Sequence, residues 1–148
     1  MRSFFDRIFK VKRKNPNISR IDRLVLDSIG GGLPMPEREL WNLQISRINK
    51  VQRLPQGVEV NFYRISKGRP TFDAAIAFKN RTQELMVASL IIKSFNQELT
   101  AKVWCVRGFI FSIEYGAAPA FFDEILGSDE GVDDVRMTLH ADLSASIN

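Results

Sequence analysis

Phe4, Phe5, Ile8 and Phe9 recur at helical spacing within residues 1–14, with Met1 and Val11 on the same arc and Arg2, Asp6, Arg7 and Lys10 on the other. Lys12, Arg13 and Lys14 close this stretch before Asn15-Pro16-Asn17. The pattern predicts a basic amphipathic segment over 1–16, followed by a single domain over 17–148. Ser19 has the chemistry of an N-cap, and Ile21, Leu24, Val25 and Ile29 then form one helical face. Gly30-Gly31-Gly32 reads as the cap of that helix and a hinge, because glycine enters the left-handed region without steric cost. Pro36, Glu37 and Glu39 suit the first turn of a further helix reaching about Leu43, with Leu40 and Trp41 inward. In 44–54 the apolar residues Ile45, Ile48, Val51 and Leu54 keep helical spacing, but Gln44, Arg47 and Gln52 fall inside the apolar arc. That conflict favours a bulged strand.

Beyond Leu54-Pro55-Gln56-Gly57, which reads as a turn, the period changes to two. Val58, Val60 and Phe62 alternate with Glu59, Asn61 and Tyr63, and Phe72, Ala74, Ile76 and Phe78 follow at the same spacing. Leu85–Lys93, Leu99–Val106 and Phe109–Tyr115 follow as further strands, the last with Phe109, Phe111, Ile113 and Tyr115 on one face. Pro119–Leu126 predicts one or two helical turns, 127–134 an acidic loop, and Val135, Met137, Leu139 and Ala141 a final strand. Closely spaced consecutive strands imply an antiparallel meander. The predicted class is α+β: N-terminal helices packed on one face of an antiparallel meander sheet of about five or six strands.

Composition changes this picture little. The chain has 148 residues, 45% hydrophobic and 26% charged, enough to bury a core without disulfides. Charge is more informative. Residues 1–20 carry a net +6 and residues 123–148 a net −6, within a total of +4. Such a split suggests two different binding faces or pairing of the two ends. No apolar run approaches the roughly 18–20 residues of a membrane span, and no secretory signal pattern is expected at the start.

The inventory is poor in chemistry. Cys105 is the one cysteine and His140 the one histidine, too few for a Cys/His zinc site. His140 reads as a solvent-facing strand residue, and Cys105, beside Trp104, as a small buried hydrophobe. The acids Asp123, Glu124, Asp129, Glu130, Asp133 and Asp134 lack calcium-loop spacing and read as a solvated loop. The glycine triplet follows a helix instead of leading into one, so it is no phosphate loop. No cofactor and no metal are expected.

Two surfaces remain. Phe4, Phe5, Ile8, Phe9, Lys12, Arg13 and Lys14 form the first. An apolar helix face must be covered, whether by its own domain, by an anionic membrane surface or by a partner's groove. Arg47, Lys50, Arg53, Arg64, Lys67 and Arg69, near Tyr63 on the first hairpin, form a weaker basic patch. Basic side chains beside an aromatic suit single-stranded nucleic acid, while an edge strand guarded by charge accounts for them more simply. The leading expectation is a non-enzymatic intracellular module that binds another protein, possibly a second copy of itself. The alternatives are a peripheral membrane protein anchored by residues 1–14 and a nucleic-acid binder using the first hairpin. A cytoplasmic location is expected, with the membrane periphery open through the first segment.

Overall fold

Ser19 begins the first helix through a reciprocal capping box. Its Oγ accepts from Asp22 N at 3.3 Å, and Asp22 Oδ2 accepts from Ser19 N at 3.2 Å. The computed structural model describes residues 18–128 and 131–148. Helix α1 spans Arg20–Gly32 and buries Ile21, Val25, Leu26 and Ile29. Helix α2 spans Glu37–Arg47 and buries Trp41 and Ile45. The three glycines are not a hinge; they complete the last turn of α1. A Cβ on Gly30 would lie 2.8 Å from Trp41 Cδ1, so the missing side chain is what lets α2 approach α1. Trp41 Nε1 donates to Leu26 O at 2.9 Å across that contact. Arg38 of α2 donates to Leu33 O and Gly31 O at 2.9 and 3.0 Å, covering carbonyls that the end of α1 leaves open.

The segment expected to be a bulged strand is divided. α2 runs on to Arg47, and strand β1 occupies only Lys50–Arg53. The physical reason is Gln44, the polar residue that spoiled the helical arc. It is fully buried, and its amide is satisfied: Nε2 donates to Ile76 O (2.7 Å) and Gly108 O (3.0 Å), while Oε1 accepts from Ile110 N (2.8 Å). A helix face can bury a glutamine when the neighbouring chain supplies its partners.

Strands β2 (Glu59–Tyr63), β3 (Ile65–Ser66), β4 (Arg69–Pro70), β5 (Leu85–Ser94), β6 (Gln97–Val106) and β7 (Phe109–Tyr115) follow, then helix α3 (Ala120–Gly127) and strand β8 (Asp134–Leu139). Six strands make one antiparallel sheet in the order β1-β2-β7-β6-β5-β8, and β3 pairs with β4 as a separate hairpin. The α+β class and the antiparallel sheet are as the pattern predicts. Sequence-order pairing holds for β1–β2 and β5–β6–β7; β2 inserts beside β7, and β8 closes the far edge on β5. No strand forms at 72–78. Asp73 Oδ1 caps a 3-10 turn at Ala74–Ile76 by accepting from Ala75 N at 2.9 Å.

One sheet face packs with α1 and α2 in a single apolar cluster that includes Val25, Trp41, Phe62, Leu90, Val103 and Ile113. The register steps by one residue in β7: Trp104 faces Ser112, yet Cys105 faces Ile110. Phe111 is the extra residue. The bulge reverses the expected alternation, so Ile110 lies inward with Ile113 and Tyr115, while Phe111 meets Tyr63 edge-on with centroids 5.6 Å apart.

Candidate functional site

The predicted apolar face of Phe4, Phe5, Ile8, Phe9, Lys12, Arg13 and Lys14 lies outside the described residues. The six basic residues of the first hairpin are described, and they do not share one surface. Arg53, opposite Val60, is exposed along its length but turns its Nη2 to within 2.7 Å of the buried Asp22 Oδ2. Arg47 pairs with Asp73 at 3.1 Å on the surface. Arg64 is buried. Lys50, Lys67 and Arg69 are the exposed remainder. His140 shares a 2.7 Å hydrogen bond with Ser89 Oγ. Among the described residues no three His, Cys, Asp or Glu side chains are grouped to hold a metal, and no helix is long and apolar enough to cross a membrane.

What the fold does build is an aromatic pocket above Arg64. After β2 the chain leaves the sheet through the β3–β4 hairpin and is tied back by Thr71, whose N and Oγ1 donate to Arg64 O at 2.7 and 3.0 Å. This places Phe72 edge-on against Phe109, centroids 5.5 Å apart at 65°. Phe109 is 5% exposed and Phe72 64%. A cavity of about 180 Å³ lies here, walled by Arg64, Thr71, Phe72, Phe109 and Phe111 among others. A second cavity of about 400 Å³ adjoins it across Phe72, Val106 and Phe109, and adds Arg81, Gln83 and Arg107. Arg107 and Gly108 both have positive φ, +51° and +92°, in the tight turn between β6 and β7. That turn holds Arg107 at the rim, with its N donating to Thr82 O at 3.0 Å.

Arg64 gives the pocket its charge. Its Nε donates to Gln44 O and its Nη1 to Ile110 O, both at 3.3 Å, and the guanidinium carbon lies 5.9 Å from the Phe109 ring centre. Nη2 is buried and has no hydrogen-bond partner. Among the described residues no carboxylate pairs with Arg64. Desolvation pulls its pKa down from the ordinary guanidinium range to about 10, against an opposing influence from Cys105, so the side chain stays charged at neutral pH. A buried charge whose only partners are carbonyl oxygens and a ring face is costly to keep.

The buried acids are of the opposite kind. Burial pushes the Cys105 thiol well above its ordinary 9.0, despite the Arg64 charge. Burial first, and then the Asp22 carboxylate, pushes the Tyr115 phenol far above 10.0. Neither group supplies a nucleophilic anion near neutral pH. Comparison with family models, with curated proteins and with solved structures finds no match to this chain.

Proposed function

We propose that the protein is a non-enzymatic module that binds another protein, and that the Phe72–Phe109 pocket is where it grips. The observation that carries this reading is Phe72, 64% exposed yet fixed against a buried ring at the mouth of an apolar pocket. Exposed aromatics packed beside a pocket are frequent energetic centres of protein interfaces. The cavity beneath Phe72, about 180 Å³, has room for one inserted side chain, and the adjoining one of about 400 Å³ extends it along the surface.

The test is capture from extracts of the source cells with full-length wild type, Phe72→Asp and Phe95→Asp. Phe95 is also exposed, at 62%, but belongs to a separate pair with Phe121. The reading expects a defined partner held by wild type and by Phe95→Asp and lost with Phe72→Asp. Retention of that partner by Phe72→Asp removes the pocket from the interaction.

A further inference from the structure

We infer that the aromatic patch of Phe95 and Phe121 is a docking surface for the chain's own residues 1–14, with their phenylalanines on the two rings and their basic residues against the carboxylates around them. The inference is independent of the pocket reading. Phe95 precedes β6 and Phe109 follows it, so the two aromatic surfaces lie at opposite ends of a ten-residue strand.

Among the described residues nothing covers this patch. Phe95 is 62% exposed and Phe121 41%, with ring centroids 6.4 Å apart. Phe121 in turn stands edge-on to the buried Phe122, centroids 5.4 Å apart. Phe95 occupies the β5–β6 turn at φ +55°, a left-handed position that favours glycine or asparagine. Asp133 Oδ2 holds it there by accepting from its N–H at 2.8 Å. A bulky ring kept in that conformation and turned to water is costly on both counts, and a cover relieves the second.

The charge around the patch selects a basic cover. From Gly108 to Val135 the sequence holds no Lys, Arg or His. Asp123 and Glu124 stand on α3 with Phe121, and Asp133 bonds to Phe95. Among the described residues none of these three acids pairs with a basic side chain; Asp123 and Asp133 accept main-chain N–H groups instead. Residues 1–14 hold six basic residues against Asp6 alone, together with Phe4, Phe5, Ile8 and Phe9. Apolar rings with positive charge complement apolar rings with negative charge.

The chain also enters the fold at this place. Ile21 N donates to Asp123 Oδ1 at 3.0 Å, and Arg20 Nη1 lies 3.4 Å from where a Cβ on Gly127 would be, so the start of α1 sits on α3. α3 is about 12 Å long at its helical rise. The stretch from Phe9 to Ile18 can extend to about 30 Å, so the phenylalanines reach across it. So short a tether gives an effective concentration on the order of millimolar, which favours the chain's own segment over that of a second copy.

The test places a nitroxide on Ser3→Cys in the isotope-labelled full chain; Cys105 is buried and stays unlabelled. The expected result is loss of the Phe95, Phe121 and Glu124 amide peaks, with those of Thr71, Phe72 and Phe109 unaffected. Phe95→Asp should restore the lost peaks. Should that variant disturb the turn, Phe5→Asp with Phe9→Asp, which alters no described residue, should restore them too. Lys12→Glu, Arg13→Glu and Lys14→Glu together should also restore them, and persistent loss in that variant overturns the role of the carboxylates. A mixture of nitroxide-bearing chain without isotope and isotope-labelled chain without nitroxide should keep every peak. Loss in the mixture assigns the patch to a second copy and overturns docking within the chain. Intact Phe95 and Phe121 peaks in the doubly labelled chain overturn the inference outright. Sedimentation with phosphatidylserine vesicles, abolished by Phe5→Asp with Phe9→Asp, would then give the segment to a membrane surface.

Discussion

Tyr115 donates its phenolic hydrogen to Asp22 Oδ1 at 2.6 Å, joining the last core strand to the first turn of the first helix. The same carboxylate receives Arg53 Nη2 at 2.7 Å and is 0% exposed. Three elements distant in sequence thus meet on one buried anion, which α1 also uses for its cap. Removing the carboxylate by Asp22→Ala should cost about 3 kcal/mol or more, because it strands the buried Tyr115 hydroxyl and takes away half of the Ser19 capping box, while Arg53, a third exposed, turns to water. Tyr115→Phe should cost less, about 1.5–3 kcal/mol, the value of a hydrogen bond to a charged group. Urea unfolding of both single variants and of the double variant checks this, and the two effects should fail to add.

The same contact sets a pH dependence. The folded state keeps the Tyr115 proton, while the unfolded chain releases it near the ordinary 10.0. Above that pH the unfolded state binds fewer protons, so stability falls as pH rises. The advantage of wild type over Tyr115→Phe, present at pH 7, should therefore disappear above about pH 10. Cys105 acts in the same direction from about its ordinary 9.0. Arg64 acts in the opposite one: its folded pKa is lowered to about 10, so its burial cost is relieved as pH rises through that value. In a Tyr63→Phe background, phenolate absorbance reports Tyr115 alone, and it should appear only together with unfolding.

Gln44 ties α2 to both the 74–76 turn and the start of β7. Gln44→Leu preserves the bulk but strands Ile110 N–H and the Ile76 carbonyl, while Gly108 O keeps the Phe78 N–H at 2.9 Å. Each unmatched buried group costs about 1–3 kcal/mol, so the variant should lose about 2 kcal/mol or more in chemical denaturation.

Neighbouring glycines should respond oppositely. Gly30→Ala drives a methyl into Trp41 and should cost about 1–3 kcal/mol. Gly31→Ala meets nothing within 4 Å and should be neutral, or stabilising by up to about 1 kcal/mol through helix propensity. Melting temperatures of the two variants decide it.

Periodicity made most of this fold legible. Ser19, Pro36, the turn at Pro55 and the period-two runs in β2, β6 and β8 each act within a few residues, and local rules reach that far. The failures have a common cause in partners distant along the chain. Gln44 spoils a helical arc until the carbonyls of Ile76 and Gly108 are beside it. The bulge at Phe111 leaves no mark on an alternating run, yet it decides which rings line the pocket. Arg64 looks like one of six surface cations, and only the tertiary fold sets it against Phe109. The buried pairing of Asp22 with Arg53 and Tyr115 spans separations that no motif encodes.

The central claim is that a partner protein seats against Phe72, and site-specific photo-crosslinking in the source cells tests it most directly. Benzoylphenylalanine replaces Phe72 in one full-length version of the protein and Phe95 in another. The account predicts a discrete protein adduct from position 72, absent from position 95. No adduct at position 72, or the same adducts at both positions, contradicts it.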